Sequence, residues 1–205
     1  VTFFEVEEWV RANLPPAPAR VLEVGAGDGS LAASLTATGY DVTAIDPKSE
    51  APNVEPVSLT DFTADERFDA AVAVVSLHHV EPLLLGATRL ANALQPNAPF
   101  LVDEFAVERL DARAARWWLE QRRALGQDEP ESAAELIEKM LALIHPVERV
   151  RQTLAEFFDV GPPIVGTYLY RWKLGESFRA KEERLIADDE LPCTGVRFIA
   201  TRRPR

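Results

Sequence analysis

Apolar positions recur along the chain with two alternating periods. Thr2 with Glu5 forms a capping-box pattern, and Phe3, Val6, Trp9, Val10 and Leu14 follow at helical spacing. Pro15, Pro16 and Pro18 stop that helix. Arg20 to Val24 reads as a strand that runs into the glycine-rich turn Gly25-Ala26-Gly27-Asp28-Gly29. Ser30 to Thr38 reads as a helix closed by Gly39. Asp41 to Asp46 is a second strand, ended by Pro47, and Val54 to Leu59 is expected as a third. Phe68 to Leu77 is apolar almost throughout, as a central parallel strand buried on both faces should be. Pro82 opens a helix through Leu94, and Pro99 to Phe105 is a fifth strand. This alternation predicts an α/β fold with a doubly wound parallel sheet.

The pattern then changes. Asp111 to Leu125 is helical, Ser132 with Glu135 caps a helix to about Ile144, and Pro146 opens another carrying Val147, Val150, Leu154 and Phe157. Tyr168 to Lys173 reads as a strand, with Tyr168, Tyr170 and Trp172 on one face. Glu176 to Ala187 is a helix, and Val196 to Thr201 is the last strand. Residues 1–205 are expected to form a single domain. Within it, residues 106–163 form a helical cover inserted between the fifth and sixth strands, with apolar faces at Trp117, Met140 and Phe157.

Charge narrows the partners. The formal net charge of the 205 residues is -11, and such a surface repels a phosphate backbone, so nucleic acid is not an expected partner. Cys193 is the one cysteine, which excludes an intrachain disulfide and a cysteine-based zinc cluster. Three histidines without metal-ligand spacing predict no metal. No apolar run reaches the roughly 18 residues of a membrane span, and the first residues lack a signal-peptide pattern. A cytoplasmic location is the expectation, and the oligomeric state is left open.

The turn after the first strand carries the chemistry. Glycines there let the backbone approach a ligand closely, and the following helix offers free N–H groups. Asp46, at the end of the second strand, is placed to accept hydrogen bonds from ribose hydroxyls. A dinucleotide fingerprint would need a glycine where Ser30 stands. Glu23-Val24-Gly25-Ala26-Gly27-Asp28-Gly29 instead resembles the first motif of the class I S-adenosylmethionine-dependent methyltransferases. The likeness covers roughly residues 20–105, and Ser76-Leu77-His78-His79-Val80 is similar to the small-molecule members. The resemblance implies a mostly parallel seven-stranded sheet with an antiparallel last strand, S-adenosylmethionine as cofactor, and a small-molecule acceptor. It places Glu23, Gly25, Ala26, Gly27, Gly29 and Pro47 at the cofactor, with Asp46 at the ribose. Ser58, Leu59, Val75 and Ser76 complete the expected cofactor contacts.

His78 and His79 leave the fourth strand where a ligand of such a sheet sits, and Glu104 ends the fifth strand facing the same cleft. A histidine there could take a proton from an oxygen or acidic carbon, or could only cap the strand end. Catalytic candidates are therefore His78, His79 and Glu104. His145, before Pro146, reads as structural unless the cover brings it near the acceptor. Two other readings remain: a nicotinamide-dependent oxidoreductase, which Ser30 argues against, and a non-catalytic cofactor-binding protein.

Overall fold

The computed structural model describes residues 5–127 and 132–204; the capping box with Thr2 lies outside them. Helix α1 (Val6–Asn13) precedes strand β1 (Arg20–Val24), helix α2 (Ser30–Ala37) and strand β2 (Asp41–Ile45). Strand β3 (Ala70–Val74), helix α3 (Leu83–Ala93) and strand β4 (Pro99–Phe105) follow. Helices α4 (Ala112–Ala124), α5 (Ala133–Leu143) and α6 (Val147–Leu154) form the insertion. Strands β5 (Phe158–Val160) and β6 (Ile164–Gly166), helix α7 (Arg179–Ala187) and strand β7 (Gly195–Arg202) complete the chain.

The seven strands form one sheet in the order β2-β1-β3-β4-β7-β5, with β6 also paired to β7. The first four are parallel, and β7 runs antiparallel to β4, β5 and β6. β3 reads Ala-Ala-Val-Ala-Val because helices cover both of its faces. On one side α1 and α2 place Trp9, Val10 and Leu35 against Val21, Val72 and Leu101. On the other, Leu90 of α3 and Val150 and Leu154 of α6 pack with Leu22, Ala71 and Phe100. Each fully buried side chain of this size contributes about 1.5–3 kcal/mol. A separate cluster beyond the end of β4 joins Phe105 to Trp117 and Trp118 of α4, Leu136 of α5, and Tyr168.

Three expectations need correction. Val54 to Leu59 is not a strand: one parallel bridge, Ile45 to Glu55, is all that forms. Pro56 has no N–H to continue the ladder. Tyr168 to Lys173 is a turn, because the buried Glu182 carboxylate of α7 accepts the backbone N–H groups of Tyr168, Leu169 and Tyr170 at 2.7–3.0 Å. Those donors are no longer available to a sheet. The sixth-strand position is instead filled by the short β5 and β6, separated by Gly161-Pro162-Pro163.

Candidate functional site

The glycine turn is fixed by its neighbours. The N–H groups of Gly25 and Ala26 both donate to the Ile45 carbonyl, at 2.8 and 3.1 Å, which ties the turn to the end of β2. Gly25 has φ 71°, and a Cβ on it would lie 2.2 Å from the Ser76 Cβ. Only glycine lets the turn after β3 approach this closely. The Ser76 hydroxyl then donates to the Val24 carbonyl at 2.7 Å. Asp46 accepts from the Gly27 N–H at 3.1 Å and from the Lys48 N–H at 2.8 Å. Each of its oxygens keeps a further lone pair for a ligand hydroxyl.

These elements surround a cavity of about 470 Å³. Gly25, Gly27, Asp46 and Pro47 line one side, Ser58 and Leu59 a second, and Val75, Ser76 and His79 a third. Ile45, Val57 and Val80 add apolar walls that sequence reasoning did not single out; Val80 lay within a quoted motif, so its signal was present. The combination fits S-adenosylmethionine: a close backbone approach, a carboxylate for ribose hydroxyls, and apolar walls for a purine.

Glu23, Ala26 and Gly29 do not line the cavity. Glu23 is 3% exposed, and one of its oxygens has no hydrogen-bond partner. Burial raises its pKa from 4.5 to about 7. Ala26 packs with Ala32, Ala44 and Val54. Gly29 begins α2 at φ 72°, where a Cβ would meet the Asn53 side chain at 2.5 Å. Its carbonyl accepts from Asn53 Nδ2 at 2.8 Å, so this glycine serves packing.

The proposed acid–base residues separate into layers. Glu104 is 0% exposed and does not line the cavity. It accepts the N–H groups of Ser76 at 2.9 Å and Leu77 at 2.6 Å, and shares a short hydrogen bond with His78 Nδ1. It anchors the turn after β3 in place of facing the cleft. His78 is buried beneath His79, with ring centroids 4.2 Å apart. His79 alone of the three reaches the cavity. Burial, then the neighbouring His78, holds the His79 pKa below its ordinary value, so the ring is neutral at neutral pH.

A second hollow of about 280 Å³ lies against the same turn, lined by His78, His79 and Glu81 and by Leu143, His145 and Arg149 of the insertion. The His145 N–H donates to the His78 carbonyl at 3.0 Å, and its Nε2 lies 2.7 Å from Glu81. The insertion thus touches the site through His145. Trp117, Met140 and Phe157 line neither space; Trp117 is buried in the cluster beyond β4. Asp103 takes the opposite face of β4 from Glu104 and pairs with Arg171 and Arg197.

A model of the methyltransferase domain matches residues 4–138. The chain belongs to this methyltransferase family. A ubiquinone biosynthesis O-methyltransferase of Xanthomonas axonopodis pv. citri is 34% identical over 105 residues, covering 43% of this chain and 44% of that protein. An uncharacterized protein of Mycobacterium tuberculosis is 28% identical over 113 residues, covering 45% and 39%. The chain therefore spans less than half the length of these two curated relatives. Among solved structures, an S-adenosylmethionine-dependent methyltransferase from Methanosarcina mazei superposes with a TM-score of 0.63. It shares 17% identity, covering 96% of this chain and 98% of that one. One from Mesorhizobium loti gives 0.63 at 15% identity and the same coverage. At these identities the structures establish the fold alone. No helix among the described residues is long and apolar enough to cross a membrane.

Proposed function

We propose that this chain transfers a methyl group from S-adenosylmethionine to a small organic acceptor. The observation that carries the reading is Asp46, held opposite the glycine turn in the same cavity as His79. When bound there, S-adenosylmethionine supplies an electrophilic methyl group on sulfur. Gly25 and Gly27 would leave room for it, and Asp46 would accept hydrogen bonds from the ribose hydroxyls. Ile45, Leu59 and Val80 would exclude water around the purine.

His79 is the residue placed to take the acceptor's proton. Its depressed pKa keeps the ring free to accept at neutral pH. Glu104 and His78 act as positioning residues, because they fix the turn that carries it. The insertion borders His79 through the second hollow, which supports its role as a cover over the acceptor. An acceptor enclosed in this way, on a chain of net charge -11, is a small molecule and no nucleic-acid strand.

Calorimetry with S-adenosylhomocysteine tests the cofactor assignment. The protein should bind it and not NAD. Asp46→Ala should weaken binding roughly 10- to 150-fold, from losing charge-assisted hydrogen bonds worth about 1.5–3 kcal/mol. Unchanged affinity would remove Asp46 from the site.

A further inference from the structure

The second hollow has features that a bound cofactor would leave unused. All three histidines of the chain line it. His79 and Glu81 also line the cofactor cavity, so the two spaces share a wall. At about 280 Å³ the hollow has room for a small organic molecule beside the cofactor.

Its outer wall is apolar and open to water. Leu141 and Leu143, at the end of α5, are 46% and 62% exposed and both line the hollow. Neighbouring Ile144 is buried and packs with Leu136. The segment is thus anchored to the fold while its leucines are left for something else to cover, and covering apolar surface of this kind is favourable.

The charges around the hollow have partners, with one exception. A Glu81 oxygen lies 2.7 Å from His145 Nε2. Glu104, sealed beneath the floor, is held by the His78 ring and by the N–H groups of Ser76 and Leu77. Glu108 accepts the N–H groups of Val147 and Glu148 at the start of α6. The Glu148 carboxylate receives Gln152 and lies 3.9 Å from Arg151. Lys48 lines the cofactor cavity and not the hollow. Arg149 lines the hollow, and its guanidinium has no hydrogen bond or ion pair among the described residues. Its five N–H donors stay open, in a fork that matches a carboxylate.

We propose that this hollow binds the methyl acceptor and that Arg149 selects acceptors carrying a carboxylate. The apolar body of the acceptor would lie along Leu141 and Leu143. Its reacting group would sit at His79, on the wall shared with the cofactor cavity. The acceptor class is thus a small amphipathic acid. This rests on the methyltransferase reading of the cavity.

The test uses protein saturated with S-adenosylhomocysteine and matched acid–amide probes: 3-hydroxybenzoate with 3-hydroxybenzamide, 4-hydroxyphenylacetate with 4-hydroxyphenylacetamide, and 6-hydroxyhexanoate with 6-hydroxyhexanamide. Binding is followed by NMR titration. At least one acid should bind roughly 5- to 10-fold more tightly than its amide, as an ion pair at the edge of solvent allows. The preference should shrink as salt is added. Arg149→Met should remove it without changing the amide, and Arg149→Lys should keep part of it. Leu143→Ser should weaken acid and amide alike. Both side chains are exposed, so the fold should tolerate these changes, and retained S-adenosylhomocysteine binding reports that it does. Equal binding within every pair, no binding by any acid, or a preference that survives in Arg149→Met overturns the proposal. So does native affinity for both probes in Leu143→Ser. Failure of the native protein to bind S-adenosylhomocysteine would instead sink the methyltransferase reading.

Discussion

Replacing Glu23 by Gln should flatten the pH dependence of stability between about pH 4.5 and 7. Glu23 stands in β1, facing α2, where its carboxyl accepts the backbone N–H of Ala32 in the first turn of that helix. The other oxygen is sealed and has no partner. Burial outweighs the single hydrogen bond, and nearby Asp28 adds repulsion, so the pKa rises from 4.5 to about 7. The folded protein therefore holds this proton more tightly than the unfolded chain does. Stability from this group is complete below the unfolded value and is lost as pH rises through the folded one. At about 1.4 kcal/mol per pH unit, the interval from 4.5 to about 7 corresponds to about 3 kcal/mol.

Gln keeps the shape and cannot ionise. Urea unfolding of both proteins, in half-unit steps from about pH 4.5 to 8, isolates Glu23 by difference, since every other titrating group is shared. The native protein should lose about 3 kcal/mol relative to the variant across that range. Its midpoint should fall while the slope with urea stays constant. Parallel profiles would refute the buried, proton-binding carboxyl.

Further outcomes follow from the geometry. His79→Ala should slow single-turnover methyl transfer by roughly 10²–10⁴ with S-adenosylhomocysteine affinity nearly unchanged. The native rate should rise with pH through a value below the ordinary histidine range, and that limb should vanish in the variant. Gly25→Ala should cost about 2–5 kcal/mol in chemical denaturation, from strain at φ 71° plus the clash with Ser76. Gly27→Ala, with nothing within 4 Å of its Cβ, should cost only about 1–2 kcal/mol from backbone strain. Glu182→Ala should destabilise by about 3 kcal/mol or more, since three buried N–H groups lose their acceptor.

What could be read from the sequence was local. β4 begins and ends at Pro99 and Phe105 as its pattern predicts, and the strand, glycine turn and α2 follow one another as expected. Gly25, Gly27, Asp46, Pro47, Ser58, Leu59, Val75 and Ser76, named from the sequence, line the cavity because such sheets gather ligands at strand ends. The errors came from partners distant in sequence. Alternating aromatics at Tyr168, Tyr170 and Trp172 have a strand's period, yet Glu182 takes the backbone donors. Gly29 belongs to the motif, but Asn53 explains its missing side chain. Strand alternation puts Asp103 and Glu104 on opposite faces. It could not reveal that Glu104 is sealed beneath the turn it was expected to share a cleft with.

That sealed carboxylate explains how an irregular turn can be held in place. Val75 adopts φ 53°, unusual for a β-branched residue and costing about 1–3 kcal/mol. Three neighbours offset the strain. Glu104 binds two successive N–H groups and the His78 ring from β4, the Ser76 hydroxyl binds β1, and His145 of the insertion binds the His78 carbonyl. A neutral hydrogen bond contributes about 0.5–1.5 kcal/mol, and one to a charged group about 1.5–3 kcal/mol. The turn is thus fixed from the sheet on two sides and from the cover on the third. His79 has no hydrogen-bonded tether of its own among the described side chains, and is positioned by the backbone that carries it. Rigidity in the layer beneath leaves the His79 ring nitrogens free for the proton transfer proposed above.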